Sequence, residues 1–513
     1  MNIKRAKEEI KQTIQAYLAK DEFGEYKIPS SSQRPVFLMG PPGIGKTAIM
    51  EQVARECKIG LVSYTITHHT RQSAVGLPYI ERKTFQDMEY SITEYTMSEI
   101  IASVYKKMEE TGLEEGILFI DEINCVSETL AATMLQFLQQ KTFGNHKVPK
   151  GWIIITAGNP PEYNKSVRDY DLVTLDRIRK LEVTEDYQVW KEYAYQNSIH
   201  GAIITYLDLK HENFYRIETT VDGVSFVTAR GWEDLSKLLY LYEELGIVVD
   251  ETLVFQYLQH NKVAKDFANY LHFYYKYKKD YQIEQLLLGE LTEDVVKRFS
   301  EAKFDEKLTF LGLLLDQLNN QFKEVYYNDM YTKELFEILK QLSNKIVHSE
   351  CRTKEENEVY SILEESIEEV QSMVKQKKIS WHMDKGEERA WAKVIQTLAF
   401  YQKEIMKQQF STGKEAFEWI REAFGIVKND RKEAVDQAAS ALYQAFHVIE
   451  QCFGISQELV IFLTELTMNT YSANYLGSYG SEKYEKYSKE LMFQQKNDRI
   501  QDEIRDVLEE SRL

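Results

Sequence analysis

Gly40-Pro-Pro-Gly-Ile-Gly-Lys-Thr47 follows a short apolar run, Val36 to Met39, and precedes a helical pattern in which Ile49, Val53, Ala54 and Cys57 share one face. Strand, glycine-rich loop and helix, in that order, are the setting in which a phosphate-binding loop works. Gly40, Gly43 and Gly45 let consecutive backbone N–H groups turn toward one anion in conformations that a Cβ hinders. The phosphates then sit on a helix N-terminus, with Pro41, Pro42 and Ile44 completing the loop. Lys46 supplies a point charge for the β- and γ-phosphates, and the Thr47 hydroxyl completes the coordination of a Mg²⁺ ion. A chance match to four fixed positions would lack the flanking strand and helix. The stretch predicts an α/β P-loop core that binds a nucleoside triphosphate.

Downstream, Gly116-Ile-Leu-Phe-Ile-Asp121-Glu122 is an uninterrupted apolar run ending in two carboxylates, as expected of a strand buried on both faces. Asp121 at the strand's end is placed to hold Mg²⁺ through water, and Glu122 to orient and deprotonate the attacking water. Alone, such a pair caps helices as often as it catalyses; after a phosphate loop it reads as catalytic. A further strand, Trp152 to Ala157, ends at Gly158-Asn159-Pro160-Pro161. Asn159 is neutral and bifunctional, suited to bond a γ-phosphate or lytic water without adding charge, although Asn-Pro is also a common turn pair.

Phosphate loop, Asp-Glu strand and Asn-terminated strand, in that order, resemble a P-loop ATPase of the AAA+ class, most of all the MoxR-like group of its dynein-related branch. Two segments carry the finer resemblance: Gly76 through Tyr90, where that branch inserts a hairpin in its second helix, and Lys141 to Pro149, similar to its hairpin before the sensor strand. The resemblance implies ATP and Mg²⁺ as ligands and two working arginines. Arg177, in Val173-Thr-Leu-Asp-Arg-Ile178, matches the arginine finger extended into a neighbouring subunit, with Arg168 and Arg179 as rivals and a surface ion pair as the plain alternative. Arg230, in Val227-Thr-Ala-Arg-Gly-Trp-Glu-Asp-Leu235, resembles a sensor arginine opening a lid helix, though Ala229 stands where many relatives have Pro. Shared arginines imply a homo-oligomeric ring, a hexamer. Relatives commonly work with a partner bearing a von Willebrand factor A domain, so the expected function is remodelling or maturation of a protein client.

Two other readings compete. A nucleic-acid-remodelling or restriction motor of the McrB-like kind would carry a guanine-selecting segment near the sensor strand, which Ala157 to Glu162 does not resemble. A nucleotide-gated scaffold would not need Asp121, Glu122 and Asn159 together.

The resemblance covers about half of the 513 residues, divided as an ATPase domain over 1–183 and a helical lid over 184–275, with a hairpin around Asp222-Gly223. Residues 276–513 contain few Gly or Pro and repeat apolar residues at steps of three and four, as in Leu308, Leu311, Leu315, Leu318 and Phe322, and in Leu363, Ile367, Val370 and Val374. They predict an α-helical bundle, with a joint near 375–386 dividing it in two. At its start, Phe273 to Lys279 interleaves bases with aromatics as a single-strand nucleic-acid groove does; against a net charge of -18, a helix with one wet face is the better reading. Tyr471, Tyr475 and Tyr479 would form one packing stripe, and the charged tail from Glu482 a solvated helix or docking element.

Composition narrows the partners. A formal net charge of -18 opposes nonspecific binding to nucleic acid or an anionic membrane. The charged start, Met1 to Lys11, and the absence of a spanning apolar run argue for a cytoplasmic protein. Four scattered cysteines, Cys57, Cys125, Cys351 and Cys452, suggest a reduced compartment and no structural metal; His348 and Cys351 have ligand-like spacing but no second pair.

Overall fold

The computed structural model describes residues 1–68, 71–163, 167, 170, 172–220, 223–349, 358–379, 383, 385–408, 410 and 412–490. Arg168, Asp222, Cys351, part of the joint at 375–386 and the tail from 491 lie outside the described residues. The chain folds as two compact units. One holds Met1–Val189, Thr228–Arg230 and Gln371–Lys385; the other holds Trp190–Val227, Gly231–Val370 and the chain from Gly386. Most of the predicted lid therefore groups with the C-terminal helices.

In the first unit five strands, β1 Val36–Met39, β2 Gly60–Thr65, β3 Gly116–Asp121, β4 Trp152–Gly158 and β5 Arg179–Glu182, form one sheet. Every neighbouring pair is parallel, in the order β2-β3-β4-β1-β5. The apolar runs in β1, β3 and β4 explain why these three lie inside, since an interior parallel strand is covered on both faces. Helices α1 Ile3–Leu18, α2 Lys46–Cys57, α3 Glu99–Thr111 and α4 Glu128–Gln140 flank the sheet. Ile100, Ile101 and Val104 of α3 and Leu130, Met134 and Phe137 of α4 join Phe37, Leu118, Ile120 and Ile154 in one buried cluster. On α1, Lys7 and Lys11 pair with Glu56 of α2 at 2.6 and 2.8 Å. Both β2 and β3 begin with glycine because the Trp152 ring lies against them: a Cβ would stand 3.0 Å from that ring at Gly60 and 2.7 Å at Gly116.

Two antiparallel hairpins leave this unit where they were expected. Pro78–Phe85 pairs with Met88–Tyr95 through a two-residue turn whose Gln86 and Asp87 are both left-handed, with φ of 49° and 63°. Thr142–Phe143 pairs with His146–Lys147, and Phe143 is anchored by stacking on Phe137 at 4.0 Å.

Among the described residues, the hairpin Arg216–Thr220 with Gly223–Val227 supplies the strands of the second unit, and its other regular elements are helical. Its longest helix, Phe304–Ser349, buries Leu311, Leu315, Leu318 and Phe322, while the helix Glu358–Ile379 buries Leu363, Ile367 and Val370 up to the unit's boundary and Val374 beyond it. The Phe273 to Lys279 segment lies inside the helix Asn261–Tyr281, with Tyr274 buried and the lysines at 276, 278 and 279 exposed, so the wet-face explanation fits it. Of the tyrosine stripe, Tyr475 is buried and Tyr479 bonds Asp329 at 2.7 Å, which is packing. No helix among the described residues is long and apolar enough to cross a membrane.

Candidate functional site

The carboxyl ends of β1, β3 and β4 adjoin in the sheet, and the phosphate loop leaves β1 there. Gly43 and Gly45 are left-handed, with φ of 74° and 90°, a region that L side chains resist. Gly40 serves otherwise: its φ is not positive, but a Cβ would stand 2.7 Å from the Val183 carbonyl and 2.9 Å from Ile44 Cδ1. Gly45 is the N-cap of α2 and offers no side chain to the first turn, which leaves those N–H groups for an anion.

Lys46 is buried beneath the loop, where its Nζ donates to the carbonyls of Gly40 at 2.7 Å and Pro41 at 2.8 Å and to Asn159 Oδ1 at 2.9 Å. Burial pushes its pKa down to about 8; the nearby Asp121 carboxylate pulls back upward and the Arg230 charge adds to the depression. The ammonium is held by neutral acceptors, so it keeps an unspent attraction for phosphate.

Thr47 Oγ1 donates to Asp121 Oδ2 at 2.9 Å, which brings together a hydroxyl and a carboxylate of the hard oxygen type that Mg²⁺ takes. Asp121 Oδ1 accepts from the Glu122 backbone N–H at 2.9 Å. Glu122 itself is left-handed, φ 57°, an uncommon conformation for a non-glycine residue and one found at functional positions. Its Oε2 accepts from Thr67 Oγ1 at 3.1 Å. Beneath them, buried Asn124 donates from Nδ2 to the Asn159 carbonyl at 2.8 Å and accepts from the Asn159 N–H at 3.3 Å. Sequence reasoning missed both Thr67 and Asn124. Asn124 had a signal, a polar residue two places after the acidic pair; Thr67, in a short turn after β2, had none.

The arginines separate. Arg230 stands in the first turn of the helix Ala229–Leu245, and a Cβ on Gly43 would lie 3.6 Å from its Cβ and 3.1 Å from Thr228. This places Arg230 beside the phosphate loop. Arg177 is exposed, and among the described residues it makes no ion pair. Arg179, its rival, bonds Thr13 and pairs with Glu9 at 2.5 Å, which ties β5 to α1. Arg168 lies outside the described residues.

The assembled donor set fits a nucleoside triphosphate: a glycine loop with uncapped N–H groups, a buried cation, a hydroxyl beside a carboxylate, a second carboxylate and a neutral amide. No curated protein matches the chain. Residues 36–177 match the sequence profile of the ATPase family associated with various cellular activities (AAA), from the first residue of β1 to Arg177. The segment from Val36 to Arg177 is an AAA ATPase domain.

Proposed function

We propose that this chain is a MoxR-like AAA+ ATPase that assembles into a ring, a hexamer, and spends ATP hydrolysis on remodelling a protein client. One observation supports hydrolysis above mere binding: Lys46 and Asn159 are in contact, Thr47 and Asp121 are in contact, and Glu122 stands next in chain to Asp121. Mg²⁺ held by Thr47 and Asp121 supplies charge neutralisation to the β- and γ-phosphates when bound. Lys46 draws on the same oxygens. Glu122 accepts the proton of a water as its oxygen bonds the γ-phosphorus, the bond from that phosphorus to the bridging oxygen breaks, and ADP leaves with that electron pair. Asn159 holds the water or a γ-oxygen without adding charge.

The remodelling half of the reading rests on surface. Tyr79, Ile80, Phe85, Met88 and Tyr90 on the long hairpin are all exposed. Large side chains held in water on a projecting ribbon favour a protein partner. The branch resemblance adds a protein with a von Willebrand factor A domain.

Glu122→Gln tests both halves. The variant is expected to bind ATP and assemble, and to hydrolyse at least about tenfold more slowly through loss of a general base. Equal turnover in variant and wild type would overturn the role of Glu122. In a pull-down with ATP, the stalled variant should retain a client and the von Willebrand partner; recovery of the chain alone would overturn the client reading.

A further inference from the structure

Asn159 is the first residue beyond β4, where sheet pairing stops. Its neighbour Gly158 still gives its carbonyl to Gly40 N–H at 3.3 Å, but Asn159 has no strand beside it. The Asn124 side chain fills that gap: its amide takes both the N–H and the carbonyl of Asn159, as a neighbouring strand would. The fit is close. A Cβ on Gly158 would lie 2.4 Å from Asn124 Oδ1, so glycine is required there for the amide to approach. Pro160 follows and has no N–H to offer in exchange. Asn124 is 2% exposed, so water does not replace either bond.

Asn124 is also tied to the acidic pair. Ile123 N–H continues the sheet by donating to the Ala157 carbonyl at 3.0 Å, and Asn124 comes next, two residues after Glu122. The backbone that carries Glu122 and the backbone that carries Asn159 are thus joined by three hydrogen bonds within a few residues of both side chains. Since Asn159 Oδ1 accepts from Lys46 Nζ, the same seat decides where the sensor amide meets the phosphate lysine.

We infer that Asn124 is a positioning residue for the hydrolytic step: it sets the orientation of Asn159, and through the shared backbone it moves Asn159 and Glu122 as one body. This rests on the hydrolytic reading above. A buried amide with a purely structural role would change stability and leave the chemistry alone; a positioning residue changes kcat through its partner, because misplacing a catalytic group by an ångström costs about a hundredfold.

The test is a double-variant cycle on the full chain, with ATP turnover and binding of a fluorescent ATP analogue measured at each corner. Asn124→Ala is expected to lower kcat about tenfold to a hundredfold while nucleotide affinity changes less than about threefold. In an Asn159→Ala background the same change should lower kcat less than about twofold, since its target is gone. Asn124→Asp keeps the acceptor for Asn159 N–H and should recover part of the loss; should the alanine variant not fold, the aspartate is read in the same cycle. Equal losses in both backgrounds, or an unchanged kcat, overturn the inference while leaving the ATPase reading intact. A wild-type protein that binds ATP without turning it over overturns both.

Discussion

Lys46 holds its charge in a place that resists it. Ordinary lysine titrates near 10.5, and here burial brings the value to about 8. A bound triphosphate favours the charged form and raises the value again. The sign follows: well below pH 8 the lysine is charged before and after binding, whereas above 8 more than half of the free protein must take up a proton to bind. Nucleotide affinity should therefore fall as pH rises through 8 and on toward the pKa of the bound form. Calorimetry at pH 8.5 in two buffers of different ionisation heat should show net proton uptake several times larger than at pH 7; uptake equal at both values would show that Lys46 is not the group. At this scale the sequence was readable where chemistry demands a fixed local spacing, as in Gly40 to Thr47 and Asp121-Glu122. It was silent where the partner is remote. Thr67 meets Glu122 across 55 residues and Asn124 meets Asn159 across 35, and neither pairing leaves a local pattern. Gly40 was readable as a required glycine, but its reason, contact with the Val183 carbonyl, belongs to a segment far along the chain.

Elements were legible from periodicity, and their crossings were not. Apolar residues at steps of three and four announced the helix Phe304–Ser349, yet nothing in that spacing marks Gly312 as the point where it meets the helix Gly201–Leu209. A Cβ on Gly312 would stand 2.1 Å from Thr205 Oγ1, inside a buried contact where Thr205 already bonds the Gly201 carbonyl at 2.9 Å. Gly312→Ala should therefore destabilise the second unit by about 1–3 kcal/mol, the usual cost of overpacking, in spite of alanine's better helix propensity. Thr205→Ala removes the obstructing hydroxyl. The double variant should regain more than half of the loss in a denaturant titration followed by helical signal. An alanine at 312 that stabilises the protein would mean that the two helices do not cross there. Hairpins follow the same division: the family resemblance implied one over Gly76 through Tyr90, while the left-handed pair Gln86-Asp87 at its turn lacks the usual Asn-Gly signal.

For the whole molecule the question is whether a site is complete within one chain. Arg230 lies beside the phosphate loop of its own unit, whereas Arg177 is exposed and Arg179 is engaged by Glu9. If Arg177 serves the next subunit, two inactive variants should repair one another. Arg177→Ala retains a nucleotide site but donates no arginine; Glu122→Gln donates the arginine but has no general base. In a random equal mixture half of the subunits carry an intact Glu122, and half of those receive Arg177 from a neighbour, so turnover should return to about a quarter of wild type. Salt sets the conditions for mixing. With -18 formal charge on every chain, subunits repel at low ionic strength, and assembly should strengthen as salt is raised toward about 0.15 M, where the screening length is about 8 Å. A mixture that hydrolyses no faster than the sum of its parts, at a concentration and salt where sedimentation shows mixed assemblies, would place the function of Arg177 within its own chain or remove it from the site.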